Sequence, residues 1–161
     1  QRPYSVDRLE LRICDFISKI DLLLAITALL ELRVISLFDN LEKLDPLLSS
    51  KFSADELKDI CDQNEIKVAK DSLNAELIHW QNGDKIICKD WIEDLLQELT
   101  ISSRSLGMNH FLEPIYKVLT EGNESMKWIK MYNKGLSVED IMQSAINNMI
   151  KNEEVNNLWF K

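Results

Sequence analysis

The chain has 161 residues, of which 45% are hydrophobic and 29% charged, and its formal net charge is -8. This composition is that of a globular domain and excludes a disordered or fibrous protein. An acidic protein repels phosphates, so we expect neither a nucleic-acid-binding surface nor a polybasic membrane patch. The longest apolar run, residues 22–30, is shorter than the roughly 20 residues that a membrane span needs, and no membrane segment is expected.

The cysteines and the first residue indicate where the protein is located and whether the chain is part of a longer one. Cys14, Cys61 and Cys88 are odd in number, widely spaced and without a CxxC pair, which predicts neither a disulfide framework nor a zinc site. A reducing, cytoplasmic location is therefore expected. The chain begins at Gln1, without an initiator Met or a signal-peptide pattern, so we expect a fragment of a longer protein.

Residues 8–14 read Arg-Leu-Glu-Leu-Arg-Ile-Cys, a strict alternation that predicts a β-strand. The charged face carries Arg8, Glu10 and Arg12, and the apolar face carries Leu9, Leu11 and Ile13. A lone strand leaves hydrogen-bonding groups unpaired on both edges. The strand therefore needs partners from elsewhere, which supports the expectation that the chain is the carboxy-terminal part of a larger fold.

The next segment, Leu22–Phe38, is apolar around nearly its whole circumference. Ser18 and Asp21 resemble a capping pair ahead of it. A helix that is apolar on all sides is typical of a protein interior, so we predict a buried helix here.

A second helix and a hairpin follow. Ser53 and Glu56 form a capping-box pattern that predicts a helix extending toward residue 70. Residues 75–80 and 85–88 read as two short strands, and the Asn-Gly pair between them favours a type I′ turn.

The rest of the chain is predicted to be helical, with clear start and stop signals between the helices. We expect Asp90 to cap a helix that ends near Gly107, and Ser137 with Asp140 to begin the last helix. Between them, helices are predicted over residues 111–121 and 123–134, each followed by a glycine. Residues 1–151 then form one domain, with 152–161 as a loose tail.

The charged face of the predicted strand could perform chemistry, because Glu10 is flanked on the same face by Arg8 and Arg12. A carboxylate can bind Mg²⁺, and a guanidinium can neutralise phosphate oxygens, which together suit phosphoryl transfer. The alternative is a solvated face with cross-strand salt bridges. Spacing alone leaves both interpretations open.

Three segments occur in an order that resembles a known family. Residues 9–15, Leu-Glu-Leu-Arg-Ile-Cys-Asp, precede a long apolar helix, as does the family's approximate Thr-Val-Glu-x-Arg-x-x-Asp strand. Asn64 with residues 69–75 is similar to its Asn-x-x-x-Ala-Ala-Arg-x-Gly-Leu-Asp-Ala segment, and residues 122–126, Gly-Asn-Glu-Ser-Met, to its Gly-Asn-x-Ala-Met. The family is the glutamate-cysteine ligase type 2 group of carboxylate-amine ligases, and the resemblance covers about residues 1–150.

The resemblance implies a fold related to glutamine synthetase. This chain would supply its mostly α carboxy-terminal portion, with one N-terminal strand and a short β-hairpin. The implied activity is the ATP-dependent joining of glutamate to cysteine, with ATP and Mg²⁺ as cofactors. Glu10 would be a magnesium ligand, Arg12 would contact the transferred phosphate, and Arg2 would bind nucleotide or substrate phosphate.

Two positions depart from the family pattern. Lys70 stands where the family usually has Arg, and Ser72 where it usually has Gly. Lysine keeps the charge of arginine but lacks its bidentate fork, which puts a carboxylate-binding role at Lys70 in doubt.

Two other functions remain open from the sequence. The chain could be a non-catalytic helical interaction module whose strand 8–14 extends the sheet of a partner, or a ligase of this group with a different amine acceptor. For the ligase, the partners would be glutamate, cysteine and the missing amino-terminal part of the enzyme, and the chain could form a homo-oligomer.

Overall fold

The computed structural model describes residue 17 and residues 19–159, with side chains as far as residue 151. The described chain is mostly helical and contains one small antiparallel sheet. The predicted strand 8–14 lies outside the described residues. The α-helices are α1 (Ile20–Asp39), α2 (Leu41–Leu44), α3 (Pro46–Ser49), α4 (Ala54–Asp71), α5 (Cys88–Glu98), α6 (Thr100–Ser105), α7 (Glu113–Glu121), α8 (Glu124–Asn133) and α9 (Val138–Trp159). The sheet pairs β1 (Glu76–Ile78) with β2 (Lys85–Ile87). None of these helices is long and apolar enough to cross a membrane.

Helix α1 occupies the predicted position, but the prediction that it is buried on all sides is wrong. Its buried residues are small or lie on one face: Ala25, Ala28, Leu32 and Ser36. The apolar residues on the other side are exposed, because only the inner face contacts the other described elements. The helix begins after Lys19, which provides no side-chain cap, and the predicted partner Ser18 lies outside the described residues.

The capping box at the start of α4 is confirmed. The Ser53 backbone N–H donates to Glu56 Oε2 at 2.8 Å, and the Glu56 N–H donates to Ser53 Oγ at 3.4 Å. These two bonds satisfy amide groups that the first turn leaves unpaired. Hydrogen bonds from the Ser53 backbone and side chain lower the pKa of Glu56 below its usual value.

The predicted hairpin is confirmed, with strands shorter than expected, whereas the type I′ turn is wrong. Leu77 pairs with Ile86 at the centre of the register. The His79 N–H bonds to the Asp84 carbonyl at 2.8 Å, which closes a four-residue loop. A type I′ turn needs positive φ at both central residues, and here Gly83 has φ +75° while Asn82 does not have positive φ.

Polar contacts tie the hairpin to its surroundings. Ser50 Oγ donates to the Trp80 carbonyl at 2.6 Å, so the segment before α4 contacts the hairpin loop. Lys85 Nζ lies 2.6 Å from Glu76 Oε1, and this hydrogen bond lowers the pKa of the Glu76 carboxyl. The sheet is therefore held from its loop as well as across its strands.

Helix α5 begins three residues earlier than predicted, so Asp90 is not its cap. Strand β2 leads directly into the helix, and the Cys88 N–H donates to the Ala75 carbonyl at 2.9 Å. Asp90 consequently lies in the first turn. Its negative charge there still interacts favourably with the positive end of the helix dipole. Burial raises the pKa of the Cys88 thiol above its usual value.

The last helices agree with their predicted start signals. Ser137 and Asp140 exchange hydrogen bonds at the start of α9, with Ser137 Oγ donating to Asp140 Oδ2 at 2.7 Å. The backbone of α9 extends to Trp159, into the segment from residue 152 for which a loose tail is predicted. No glycine or proline follows Gly135 in the sequence, so nothing in this segment breaks the helix.

The core is formed where α1, the residues around the hairpin, α5 and α7 meet. Leu32, Leu96 and Leu99 are its largest fully buried side chains. Arg33 and Ser36 on α1 both donate to Glu98 Oε1, at 2.9 and 3.2 Å. Apolar packing and these polar contacts together fix α1 against α5. The buried members are Ala25, Ala28, Leu32, Leu73, Ala75, Leu77, Cys88, Leu96, Leu99, Leu112, Ile115 and Leu119.

Candidate functional site

The three residues that the sequence singled out for chemistry, Arg2, Glu10 and Arg12, lie outside the described residues. In sequence they come just before the start of α1. The described surface nearest to them along the chain is the N-terminal end of α1.

A small cleft of about 70 Å³ opens at the N-terminal end of α1, between this helix and the helices α7 and α8. Three lysines and three carboxylates line it. The charged residues that line it are Lys19, Asp21, Lys117, Glu121, Glu124 and Lys127. A cleft of this size fits a group such as a carboxylate or a single phosphate.

Two ion pairs cross the cleft surface. Lys19 Nζ lies 3.1 Å from Glu124 Oε1, and Lys127 Nζ lies 3.5 Å from Glu121 Oε2. All four side chains are about half exposed, so each pair contributes at most about 1 kcal/mol to stability. The lysines can thus transfer their hydrogen bonds to an anionic ligand at small cost.

The cleft is bordered by the start of α8, which the sequence builds with a capping asparagine. Asn123 Oδ1 accepts a hydrogen bond from the Met126 N–H at 3.0 Å. Asn123 Nδ2 donates to Ser72 Oγ at 2.6 Å. One side chain therefore caps α8 and joins residues 122–126 to residues 69–75, two of the segments on which the family resemblance depends.

Ser72 has an unusual backbone conformation, with φ 54° and ψ -131°. Among the described non-glycine residues it alone has positive φ. Glycine adopts such conformations without steric cost, which gives a physical reason for the family's usual glycine at this position. The bond from Asn123 is available to the serine hydroxyl and is not available to glycine.

Asn64 has a structural role. Its Nδ2 donates to the Ile78 carbonyl and its Oδ1 accepts from the Ile78 N–H, both at 2.9 Å. The amide side chain thus imitates a neighbouring strand at the outer edge of β1. Asn64 fixes the hairpin on α4 and does not line the cleft.

The charged side chains of the cleft balance one another, with three lysines and three carboxylates. Within the described ranges, no group of three or more His, Cys, Asp or Glu side chains is arranged to hold a metal ion. The lysines can bind phosphate or carboxylate oxygens, whereas the carboxylates would repel them, so charge alone does not select an anion over a cation. Lys70 is exposed in the last turn of α4 and does not line the cleft.

Sequence reasoning did not identify the ion pair between Lys19 and Glu124, whose residues are 105 positions apart. Nothing in the local pattern marks Lys19. The helix predicted over residues 123–134 is present as α8, but the contact of Asn123 with Ser72 depends on the tertiary arrangement.

Comparison with known families gives a match over most of the chain. No curated protein and no solved structure matches it. Residues 2–155 match the family model of glutamate-cysteine ligase family 2 (GCS2). The matched range includes Arg2, Glu10 and Arg12 as well as the cleft. The chain therefore belongs to glutamate-cysteine ligase family 2, a family of carboxylate-amine ligases.

Proposed function

We propose that this chain is the carboxy-terminal part of an ATP-dependent ligase that joins the side-chain carboxylate of glutamate to the amine of cysteine. The observation that carries the proposal is the family match over residues 2–155. The cleft at the start of α1 supports it, because its lysines offer binding partners for carboxylate or phosphate groups.

The proposed reaction proceeds in two steps. The carboxylate of glutamate attacks the γ-phosphorus of ATP, and ADP leaves, which gives an acyl phosphate. The cysteine amine then attacks the acyl carbon and loses a proton, and inorganic phosphate leaves with the former carboxylate oxygen and takes up that proton. Both steps move negative charge between oxygens, so cationic groups placed at those oxygens lower the barrier.

Residues of the amino-terminal segment would supply the central groups. Glu10 would hold Mg²⁺, which neutralises phosphate charge when bound. Arg12 would stabilise the charge on the transferred phosphate through its planar fork, and Arg2 would bind nucleotide or substrate phosphate. We propose that the remaining magnesium ligands belong to the amino-terminal part of the enzyme.

The setting proposed for this enzyme is the cytoplasm. Cys61 and Cys88 are free thiols, which is consistent with a reducing compartment. No element of the reaction requires either thiol.

The test measures Mg-ATP binding and γ-glutamylcysteine formation, both with this chain and with the complete gene product. We expect product only from the complete protein. In that protein, Glu10→Gln and Arg12→Lys should each lower kcat by at least tenfold, the loss expected when a charge-stabilising group is removed from a transition state. Glu139→Gln and Arg104→Lys are matched controls at exposed positions that do not line the cleft, and both should leave the rate unchanged.

Two outcomes would contradict the assignment. Full activity of this chain alone would remove the proposal that it is a part of the enzyme, and unchanged rates in both site variants would remove the roles of Glu10 and Arg12. Replacing cysteine with other amino acids in the same assay tests the alternative acceptor, because a higher kcat/KM with another amine would reassign the second substrate.

A further inference from the structure

Helices α8 and α9 leave an apolar groove of about 510 Å³ between them. None of the described residues that line it is charged. Six of its side chains are between 43% and 61% exposed, and an exposed apolar surface of this kind marks an interaction site in soluble proteins. We call these six residues the groove face: Trp128, Ile129, Tyr132, Val138, Met142 and Ile146.

The composition of the groove face is that of an interface core. Aromatic residues and methionine are enriched in the cores of protein interfaces, and charged residues are depleted there. Trp128 and Tyr132 lie four residues apart on α8, and Met142 lies opposite them on α9. Ile141 in the same groove is buried, so the two helices are already packed on each other and the outer side chains remain uncovered by them.

The same pair of helices also carries a ridge that matches the groove. Met142, Ile146 and Ile150 recur every four residues along α9, and all three are exposed. Rows of side chains at this spacing form the ridges that pack into the grooves of neighbouring helices. A two-fold axis would place the ridge of each copy in the groove of the other. The surface is therefore self-complementary.

The area of the groove face is sufficient for a dimer. It exposes about 600 Å², since side chains of this size expose about 200 Å² when free and roughly half of that is exposed here. Two copies that cover each other's groove face would bury up to about 1,200 Å² of apolar surface, before the polar rim is added. Stable interfaces bury about 1,200–2,000 Å² in total.

The charge of the chain also favours contact at this face. Each copy has a formal net charge of -8, so two copies repel each other wherever their acidic surfaces approach. The groove face brings no charged side chain into contact with its own symmetry mate. Two acidic copies can therefore associate there without burying like charges.

We propose that the groove face is the interface of a symmetric dimer, in which the ridge of each copy lies in the groove of the other. The inference does not depend on the proposed reaction. The residues that line the groove and those that line the cleft at the start of α1 do not overlap, so the dimer leaves the lining of the cleft free.

The test measures the mass of the complete gene product by sedimentation velocity over a range of protein concentrations. We expect the wild type to form dimers and Ile146→Lys to raise the dimer dissociation constant about a hundredfold, because a central apolar contact is lost and a charge is buried in both copies. The control is Ile101→Lys, at an exposed apolar position on α6 that does not line the groove. It should leave the dissociation constant unchanged.

Three results would overturn the proposal. The first is a wild type that stays monomeric at every concentration, and the second is a dimer that Ile146→Lys does not weaken. The third is a lower urea midpoint for Ile146→Lys than for the wild type at a dilution where both are monomeric. That result would show that another part of the same molecule covers the groove.

Hydrogen exchange of the wild type needs no substitution, so it does not depend on the folding of a variant. We expect the backbone amides of α8 and α9 to exchange more slowly at concentrations that favour the dimer than in the dilute monomer. The amides of α4 should exchange equally at both concentrations. Equal exchange in α8 and α9 at the two concentrations would contradict the interface.

Discussion

The hairpin unit, residues 50–88, and the α8–α9 pair, residues 124–151, differ in how well their backbone polar groups are hydrogen-bonded and their apolar side chains buried. In the hairpin unit, polar side chains from α4 and the preceding loop bond directly to strand and loop backbone, as Asn64 does to Ile78 and Ser50 to Trp80. Leu73 and Leu77 of the same unit are buried in the core. Both hydrogen bonds and apolar packing therefore hold the hairpin unit in place.

The α8–α9 pair has start signals just as clear, but its facing surfaces leave an apolar groove of about 510 Å³. Trp128, Tyr132 and Met142 on its walls are exposed, and within the described chain Ile141 is the buried residue of this pair. The comparison teaches that capping signals determine where helices begin, whereas burial depends on which other elements they meet. The groove is lined by Trp128, Ile129, Tyr132, Val138, Ile141, Met142, Ala145, Ile146 and Met149.

The largest expected effect separates the core from the groove. Leu96→Ala removes a side chain that is 1% exposed, and we expect it to lower the free energy of unfolding by about 2–5 kcal/mol, because it leaves a cavity. Met142→Ala in the groove should change it by no more than about 0.5 kcal/mol. Urea unfolding followed by circular dichroism measures both, and equal losses would remove the distinction between the regions.

The next effect tests the bonds that hold the hairpin. Asn64→Leu leaves the N–H and carbonyl of Ile78 without their partners, and we expect a loss of about 1–3 kcal/mol in the free energy of unfolding. Faster hydrogen exchange at the Ile78 amide should accompany it. Gln63→Leu, on the exposed side of α4, is the matched control and should leave that exchange rate unchanged.

A smaller effect concerns the backbone at Ser72. Ser72→Gly and Ser72→Ala both lose the bond from Asn123, but glycine tolerates positive φ and alanine does not. We expect the glycine variant to be more stable than the alanine variant by about 1 kcal/mol. Thermal unfolding compares them, and a more stable alanine variant would contradict the left-handed conformation.

The smallest effect is a pH dependence of the hairpin unit. Glu76 and Glu56 have pKa values lowered in the folded protein, by hydrogen bonds from Lys85 and Ser53 respectively. A lowered pKa contributes stability above the unfolded-state pKa, and this contribution is lost as the pH falls through the folded-state pKa. The decline in stability on acidification should therefore be shallower in Glu76→Gln, as measured by urea midpoints between neutral and acidic pH. Identical profiles for this variant and the wild type would contradict the contribution of Glu76.

Much of the secondary structure could be predicted because its signals are local. The capping box of Ser53 and Glu56 and the Ser137–Asp140 pair both mark helix starts that the structure contains. The misplaced start of α5 shows the limit of such signals. There, pairing of Cys88 with Ala75 outweighed the capping preference of Asp90.

The arrangement of the candidate site could not be predicted in the same way. The contacts of Asn123 with Ser72 and of Lys19 with Glu124 join residues 51 and 105 positions apart, and no local pattern specifies them. The burial of α1 was overestimated because composition shows how apolar a helix is but not how many of its faces meet another element. The prediction for Arg2, Glu10 and Arg12 stays a prediction, since these residues lie outside the described part.

Chemical modification of the buried thiol of Cys88 can report the transient opening of the core. Cys88 lies in the core with a raised thiol pKa, whereas Cys61 is exposed on α4. Because the thiolate is the reactive form, an alkylating reagent can modify Cys88 only when the region around α5 opens. The rate of its modification would therefore time that opening event in the native protein, with Cys61 as the internal standard for reagent reactivity.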